Sequence, residues 1–433
     1  LLTWEPRLLE QCERHHSRRN LPTFTSQNIV ITESYAGTCA GSFALGRAFD
    51  HAKKCCGHDG RRWRVHFACD KGDVQQDLLT SMSGPHQPQH IFGDILDRLH
   101  DDDRTYLDHI VNTTFAANAV ILQQAKQGEI TFDNYKDAAQ SLCDDMYTSI
   151  CNRLEKATFR LAWAYSTRYY GPDAIQQECV PGFNADLLLN ILSPKYTAKF
   201  MEFAPCDAGF PSSGKRQFGI FVLANMVKSQ LEAVSSDLRE TFKKCINQPN
   251  SLDMILQGSQ ELQDACMASI LERNSLFGIQ VGYAKWEDVL TPHERKRLTF
   301  AKRNAADSGY CQIDDAGNCF DWSVSAAIVN LDVTEGFDTT RISRMPRLTK
   351  GSLLWDLVRE RLLVPEEYWI AMGWPVPGVV PKSAIRCYPH DLNAVSFSHH
   401  RMLMGNGMHV VSMGCVSYWM MSAPTWRLNP RAR

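Results

Sequence analysis

Between Asn28 and Ile95, three short apolar runs each stop at a turn or an acid, with helix-compatible sequence between them, and few folds accept that pattern. Ile29-Val30-Ile31-Thr32 is a β-branched run, followed by a Gly/Ala-rich turn and a helical stretch from Phe43 to Lys54. Arg64-Val65-His66-Phe67-Ala68-Cys69 ends at Asp70, and Ile91-Phe92-Gly93-Asp94 closes the series. Strands alternating with helices predict βαβ units and a parallel sheet, an α/β fold. From about Asp101 to Phe159 the character changes. Leu107, Val111, Phe115, Ala119 and Leu122 recur at helical spacing, as do Tyr135, Ala139, Leu142, Met146, Ile150 and Leu154. Two amphipathic helices joined near Gly128 are predicted there. The α/β pattern resumes at Asp173-Ala174-Ile175 and again at Phe218 to Leu223.

A chain of 433 residues can bury one large core with a smaller unit beside it. The expected division is an N-terminal extension over 1–26, then an α/β domain over 27–234 with a helical insertion at about 101–160. A smaller domain over 235–343 follows, and a segment over 344–433 that returns to the first domain. No apolar stretch approaches the roughly 20 residues of a spanning helix, so no contact with a membrane is expected. Leu1 to Phe24 is broken up by Glu5, Arg7, Glu10, Glu13 and Arg14, so secretion is not expected either. The 15 cysteines form no repeating spacing and predict free thiols. Cys12, His15 and His16, like Cys55, Cys56 and His58, lack a matching second pair, and no metal site is expected. With a net charge of −2, contact with nucleic acid has to come from local basic patches.

The turn Tyr35-Ala36-Gly37-Thr38-Cys39-Ala40-Gly41 lies between the first strand and its helix. Glycines there let the backbone pass close to a ligand, and a helix N-terminus offers free N–H groups. Asp70, ending the second strand, is placed to accept the hydroxyls of a ribose, and Asp94, ending the third, to meet an adenine amino group. Three polar sites in strand order at one sheet edge predict a cofactor crevice.

The order of these motifs resembles that of cytosine-C5 DNA methyltransferases. Tyr35 to Thr38, Phe67 to Asp70 and Phe92 to Ile95 are similar to the first three motifs of that family. Gln177-Glu178-Cys179-Val180 resembles its Glu-Asn-Val strand end, and Asp207 to Arg216 its Gly-Val-Pro-Gln segment with trailing arginines. Met345-Pro346-Arg347-Leu348-Thr349, Val364-Pro365-Glu366-Glu367 and Met372-Gly373-Trp374-Pro375 look like the segment after the recognition domain, and Met404 to Met408 like the final Gly-Asn motif. The resemblance implies a Rossmann-like S-adenosylmethionine-dependent methyltransferase fold with a helical insertion and a smaller recognition-type domain. It implies S-adenosyl-L-methionine as cofactor, cytosine-containing DNA as partner with RNA as an alternative, and a nuclear or otherwise cytoplasmic location. By the same resemblance Tyr35, Ala36, Gly37, Thr38, Asp70, Asp94 and Asn406 bind the cofactor, and Glu178 holds a proton at cytosine N3. Lys215 and Arg216 contact substrate or phosphate.

Family chemistry also requires a cysteine, in a Pro-Cys loop after the fourth strand, that adds to cytosine C6. Its place is between Asp94 and Glu178, where Cys143 and Cys151 fall on a predicted helix with no neighbouring Pro or Gly. The chain runs from Ala157-Thr158-Phe159-Arg160 straight into Leu161-Ala162-Trp163, as if a strand and its loop were deleted. Cys206 has the Pro-Cys dipeptide but follows Glu178 in the chain, and Cys179 should point to the strand face opposite Glu178. Gly214 stands where the family has the first arginine, and Cys179 where it has Asn. The expectation is therefore a methyltransferase, or alternatively an inactive relative that keeps the scaffold. Arg295, Lys296 and Arg297, with His293, Lys302 and Arg303, form the densest basic cluster and are a candidate phosphate contact.

Overall fold

The structure, a computed structural model, describes residues 3–16, 19–34, 38–70, 72–93, 101–131, 133–142, 145, 172–179, 181, 189, 192–246, 252–275, 285–333, 340–342, 344–376 and 396–427. The β-branched run and its two successors form strands β1 (Ile29–Ser34), β2 (Trp63–Cys69) and β3 (His90–Phe92), parallel and in the order β1-β2-β3. Helices α3 (Ala40–Cys55) and α4 (Asp73–Ser81) make the crossovers. The fold is α/β, as the alternation predicts.

A second sheet has the order β4-β6-β5 and is antiparallel throughout. It is built from β4 (Ala174–Cys179), β5 (Tyr196–Phe203) and β6 (Arg216–Leu223). The parallel expectation thus stops at β3. Among the described residues no strand joins β1 to β4. The point after Arg160 where a strand is expected to be missing lies outside the described residues.

The two sheets share one helix. In α11 (Val410–Ser422) every residue is buried, and it packs against α3 on one side and reaches β4 on the other through Gln176 and Ser417, 3.2 Å apart. A helix apolar all round belongs in a core. The segment expected as an extension forms α1 (Glu5–His15) and α2 (Asn20–Thr25), both seated on α11, with Trp4 and Leu8 fully buried.

After β6 the chain carries the short α6 (Leu238–Thr241), which packs against β5, α1 and α11, then α7 (Gln260–Ser275), α8 (Pro292–Asp307), the β7–β8 hairpin (Gln312–Ile313, Cys319–Phe320) and a four-stranded sheet. That sheet has the order β10-β9-β11-β12. It joins β9 (Ala327–Asn330) and β10 (Arg341–Ile342) to β11 (Leu354–Asp356) and β12 (Arg361–Leu362), so it crosses the boundary expected near 343. Helices α9 (Pro365–Ala371) and α10 (Phe397–Asn406) lead back to α11. Of the predicted helical insertion, α5 (Asp101–Lys126) is described, and Gly128 follows it with φ +76°.

Local chemistry sets the start of α8. Thr291 accepts from Glu294 N while the Glu294 carboxylate accepts from Thr291 N at 2.7 Å. Thr291→Ala removes half of this reciprocal cap and is expected to lower stability by about 1 kcal/mol, measured by urea unfolding.

Candidate active site

At the carboxyl edge of the parallel sheet the described part of the first turn begins at Thr38. Cys39 adopts a left-handed conformation at φ 57° just before α3, and Thr38 beside it is fully buried. The Thr38 hydroxyl has no hydrogen-bond partner among the described residues. Glu33, one residue before the end of β1, turns its buried carboxylate onto the helix start and accepts from Gly41 N at 3.1 Å and Ser42 N at 2.9 Å. Burial raises that carboxyl's proton affinity, and the bonds from Ser42 and Gly41 oppose the rise. The N–H groups that could have met a ligand anion therefore already serve Glu33. Sequence reading missed Glu33, because nothing in the spacing shows an acid folding back eight residues.

Asp70 sits at the end of β2, half-buried, and its Oδ1 accepts from Gly72 N at 3.1 Å. Burial raises the nearby Cys39 thiol, with Glu33 and, least of all, Asp70 adding to the rise. Tyr35, Ala36, Gly37 and Asp94 lie outside the described residues. The C-terminal segment does return to this edge. A Cβ on Gly407 would stand 3.3 Å from Thr38 Oγ1, and one on Gly41 would meet Met408 Cε at the same distance. Asn406 itself is exposed, so Gly407 and Met408 make the contact. An orphaned buried hydroxyl beside a strand-end aspartate fits the hydroxyl-rich end of a nucleoside cofactor.

On the other side of Gly407 lies a small pocket, holding about 30 Å³ of water-accessible space. Glu178, Arg216, Arg347, Gly214, Gly405 and His409 are among its walls. Glu178 comes from the end of β4 and Arg216 from the start of β6, and Arg216 Nε donates to Glu178 Oε1 at 2.5 Å. Burial raises the Glu178 carboxyl above its usual range, while Arg216 and then Arg347 pull the other way. Gly214 has φ +141°, a conformation closed to most side chains, which accounts for glycine where the family has arginine. Lys215 is half-exposed and ion-paired with Glu202.

Among the described residues no cysteine lines this pocket. Pro205 does, and Cys206 follows it on the same half-buried turn without reaching the pocket, its thiol raised by burial and then by Asp207. Cys179 accepts from Gln177 Nε2 at 2.6 Å, and burial pushes its thiol up to about 11. Neither environment favours a thiolate. Cys143 and Cys151 lie outside the described residues. Among those described, no cluster of three His, Cys, Asp or Glu side chains could hold a metal ion.

The basic cluster on α8 divides. Arg297 is 2 % exposed with its guanidinium over Phe300, and Lys302 is buried and paired with Glu287 at 2.5 Å. Both are thereby withdrawn from solvent. Arg295, Lys296 and Arg303 stay exposed, with Arg295 donating to the Leu290 and Asp288 carbonyls.

His409 is half-buried at the N-cap of α11, and burial pushes it down to about 3. His86, packed between Phe43 and Trp63, and His16, between Ser422 and Ser236, are each pushed down to about 4 by burial. A depressed histidine is neutral in the fold while the unfolded chain takes up a proton near pH 6.5, so stability rises with pH across that gap. Thermal midpoints are expected to hold above pH 6.5 and fall progressively between 6.5 and 4. His86→Phe should flatten that fall; an unchanged slope would remove His86 from the cause.

No protein-family model matches the sequence, and no curated protein matches it. Solved structures do. A protein described as a DNA modification methyltransferase encoded within an E. coli prophage is 11% identical, with a TM-score of 0.44, covering 91% of this chain and 97% of that one. The S. pombe Dnmt2 methyltransferase is 13% identical with a TM-score of 0.40, covering 91% and 97%. The Entamoeba histolytica methyltransferase EhMeth is 10% identical with a TM-score of 0.42, covering 91% and 98%. What the chain is similar to is, in each of these cases, a protein named as a methyltransferase.

Proposed function

We propose that this chain is a methyltransferase-type protein of the cytosine-C5 class, which holds S-adenosylmethionine at the β1–β2 edge and a cytosine base of nucleic acid against Glu178. The observation that carries the reading is the continuity of the two sites through one glycine. Gly407 lines the Glu178 pocket, and its missing Cβ would stand 3.3 Å from Thr38 Oγ1, so it lies between the pocket and the β1 edge. Two ligands bound there would sit against each other, as group transfer requires.

The residues divide the work by their surroundings. Asp70 takes the ribose hydroxyls and the Thr38 hydroxyl the adjoining polar end, with Asn406 exposed nearby. Glu178, whose burial favours its protonated form, keeps a proton on the base at N3, and Arg216 fixes the carboxyl in place. Lys215, Arg295 and Lys296 are proposed phosphate contacts. The cofactor, when bound, supplies the methyl group.

A second reading is favoured by the thiols. With neither Cys206 nor Cys179 in the pocket, the same residues would bind cofactor and base without turnover. Calorimetry with S-adenosylhomocysteine and trapping on fluorocytosine-containing DNA separate the two. Cofactor binding with a covalent adduct establishes the transferase, and binding without an adduct establishes the second reading. Absence of cofactor binding overturns both. Asp70→Ala is expected to weaken cofactor binding at least tenfold, the loss of one charge-assisted hydrogen-bonding partner.

A further inference from the structure

Between Asp338 and Asp356 the chain carries Arg341, Arg344, Arg347 and Lys350 and no carboxylate, in a protein whose net charge is −2. All four cations are exposed, whereas Met345 and Leu348 between them are buried. The backbone that carries them is pinned. Met345 N donates to the Pro211 carbonyl at 2.8 Å, and the Met345 carbonyl accepts from Ser213 N at 3.0 Å and Ser213 Oγ at 2.8 Å. Arg341 lies on β10, the edge strand of its sheet, and Thr349 N donates to Ser352 Oγ at 2.8 Å. A solvated charge run on a free loop has none of these anchors.

The pinned strip borders the pocket, since Arg347 and Leu348 are walls of it beside Glu178 and Arg216. Nine residues of chain span at most about 30 Å, several phosphates of a nucleic-acid strand. Pocket and cations are therefore at one address. Glu178, whose charge reaches Arg347, is already held by Arg216.

We infer that Arg341, Arg344, Arg347 and Lys350 form the phosphate-binding edge of the pocket and carry the sugar–phosphate backbone of a nucleic acid whose base faces Glu178. This rests on the reading given under Proposed function and names the surface that seats the substrate. The phosphodiester chemistry is common to DNA and RNA.

The test is fluorescence anisotropy with one labelled 20-mer as duplex DNA, as single-stranded DNA and as RNA, titrated across a range of KCl. Each neutralised phosphate contributes about 0.9 to the salt slope on duplex and about 0.7 on a single strand. The variant Arg341→Gln/Arg344→Gln/Lys350→Gln is expected to bind at least about tenfold more weakly at low salt, with a slope reduced by about 2–3. The nucleic acid showing the larger reduction is the form the strip is built for. Arg61→Gln/Arg62→Gln/Arg64→Gln, exposed and far along the chain, removes the same charge and should leave the slope unchanged. Equal losses in both variants, or an unchanged slope in the first, would overturn the inference. Failure of the wild type to bind any of the three would overturn it as well. S-adenosylhomocysteine calorimetry on the same samples reports separately on the underlying reading, which can stand when the strip fails.

Discussion

Glu367→Ala is expected to cost about 3–5 kcal/mol, the usual penalty for removing one partner of a buried ion pair. Arg361 and Glu367 are 5 % and 0 % exposed at their side chains, and Arg361 donates to both carboxylate oxygens, at 2.8 and 2.6 Å. The same carboxylate accepts from Val364 N and Gly258 N, each at 3.0 Å, so it ties β12, α9 and the start of the α7 segment together. Removing it strands a guanidinium and two backbone donors away from water. Urea unfolding reads the loss as a drop in midpoint at constant slope. Arg361→Met/Glu367→Leu, which removes both charges and keeps volume, should recover most of it. A cost below about 1 kcal/mol for Glu367→Ala would mean that the pair is solvated in solution.

Gly405→Ala is expected to be a strongly disruptive single methyl. A Cβ there would lie 2.1 Å from the Thr349 carbonyl carbon and 2.3 Å from Lys350 N, and backbone cannot step aside as a side-chain tip can. Overpacking of this kind costs about 1–3 kcal/mol or more. The forced separation of α10 from residues 349–350 also displaces Lys350 and, two residues before Thr349, Arg347 at the pocket wall. Weaker binding of nucleic acid should therefore accompany the lower melting temperature. Gly60→Ala, where a Cβ meets nothing within 4 Å, is the neutral control.

How far the sequence could be read depended on whether the informative contacts were local. β1, β2 and β3 were legible because β-branched and aromatic runs stop at turns, a signal contained in a few residues. β5 was not expected. Lys199 and Glu202 break its apolar run, and only the fold shows Lys199 over the Trp419 ring, donating to the Ser236 carbonyl. Glu178 and Arg216 were found through motif order, and the antiparallel register of β4 and β6 brings them together. Arg347 was quoted within a motif without a role, since its place beside Glu178 depends on a pairing between residues 211–213 and 345. Arg297 and Lys302 were readable in principle: Leu298, Ala301 and Ala305 mark the buried face of α8, and both cations fall on it.

The burial of α11 has a consequence for the order in which the molecule can be made. Residues 410–422 supply the apolar surface that α1, α2 and α3 pack against, yet they leave the ribosome some 350 residues after α3 does. At about 5–20 residues per second, that is a wait of tens of seconds during which the inner face of α3 has no native cover. Native packing of α1, α2 and α3 during synthesis must therefore wait until α11 has been made.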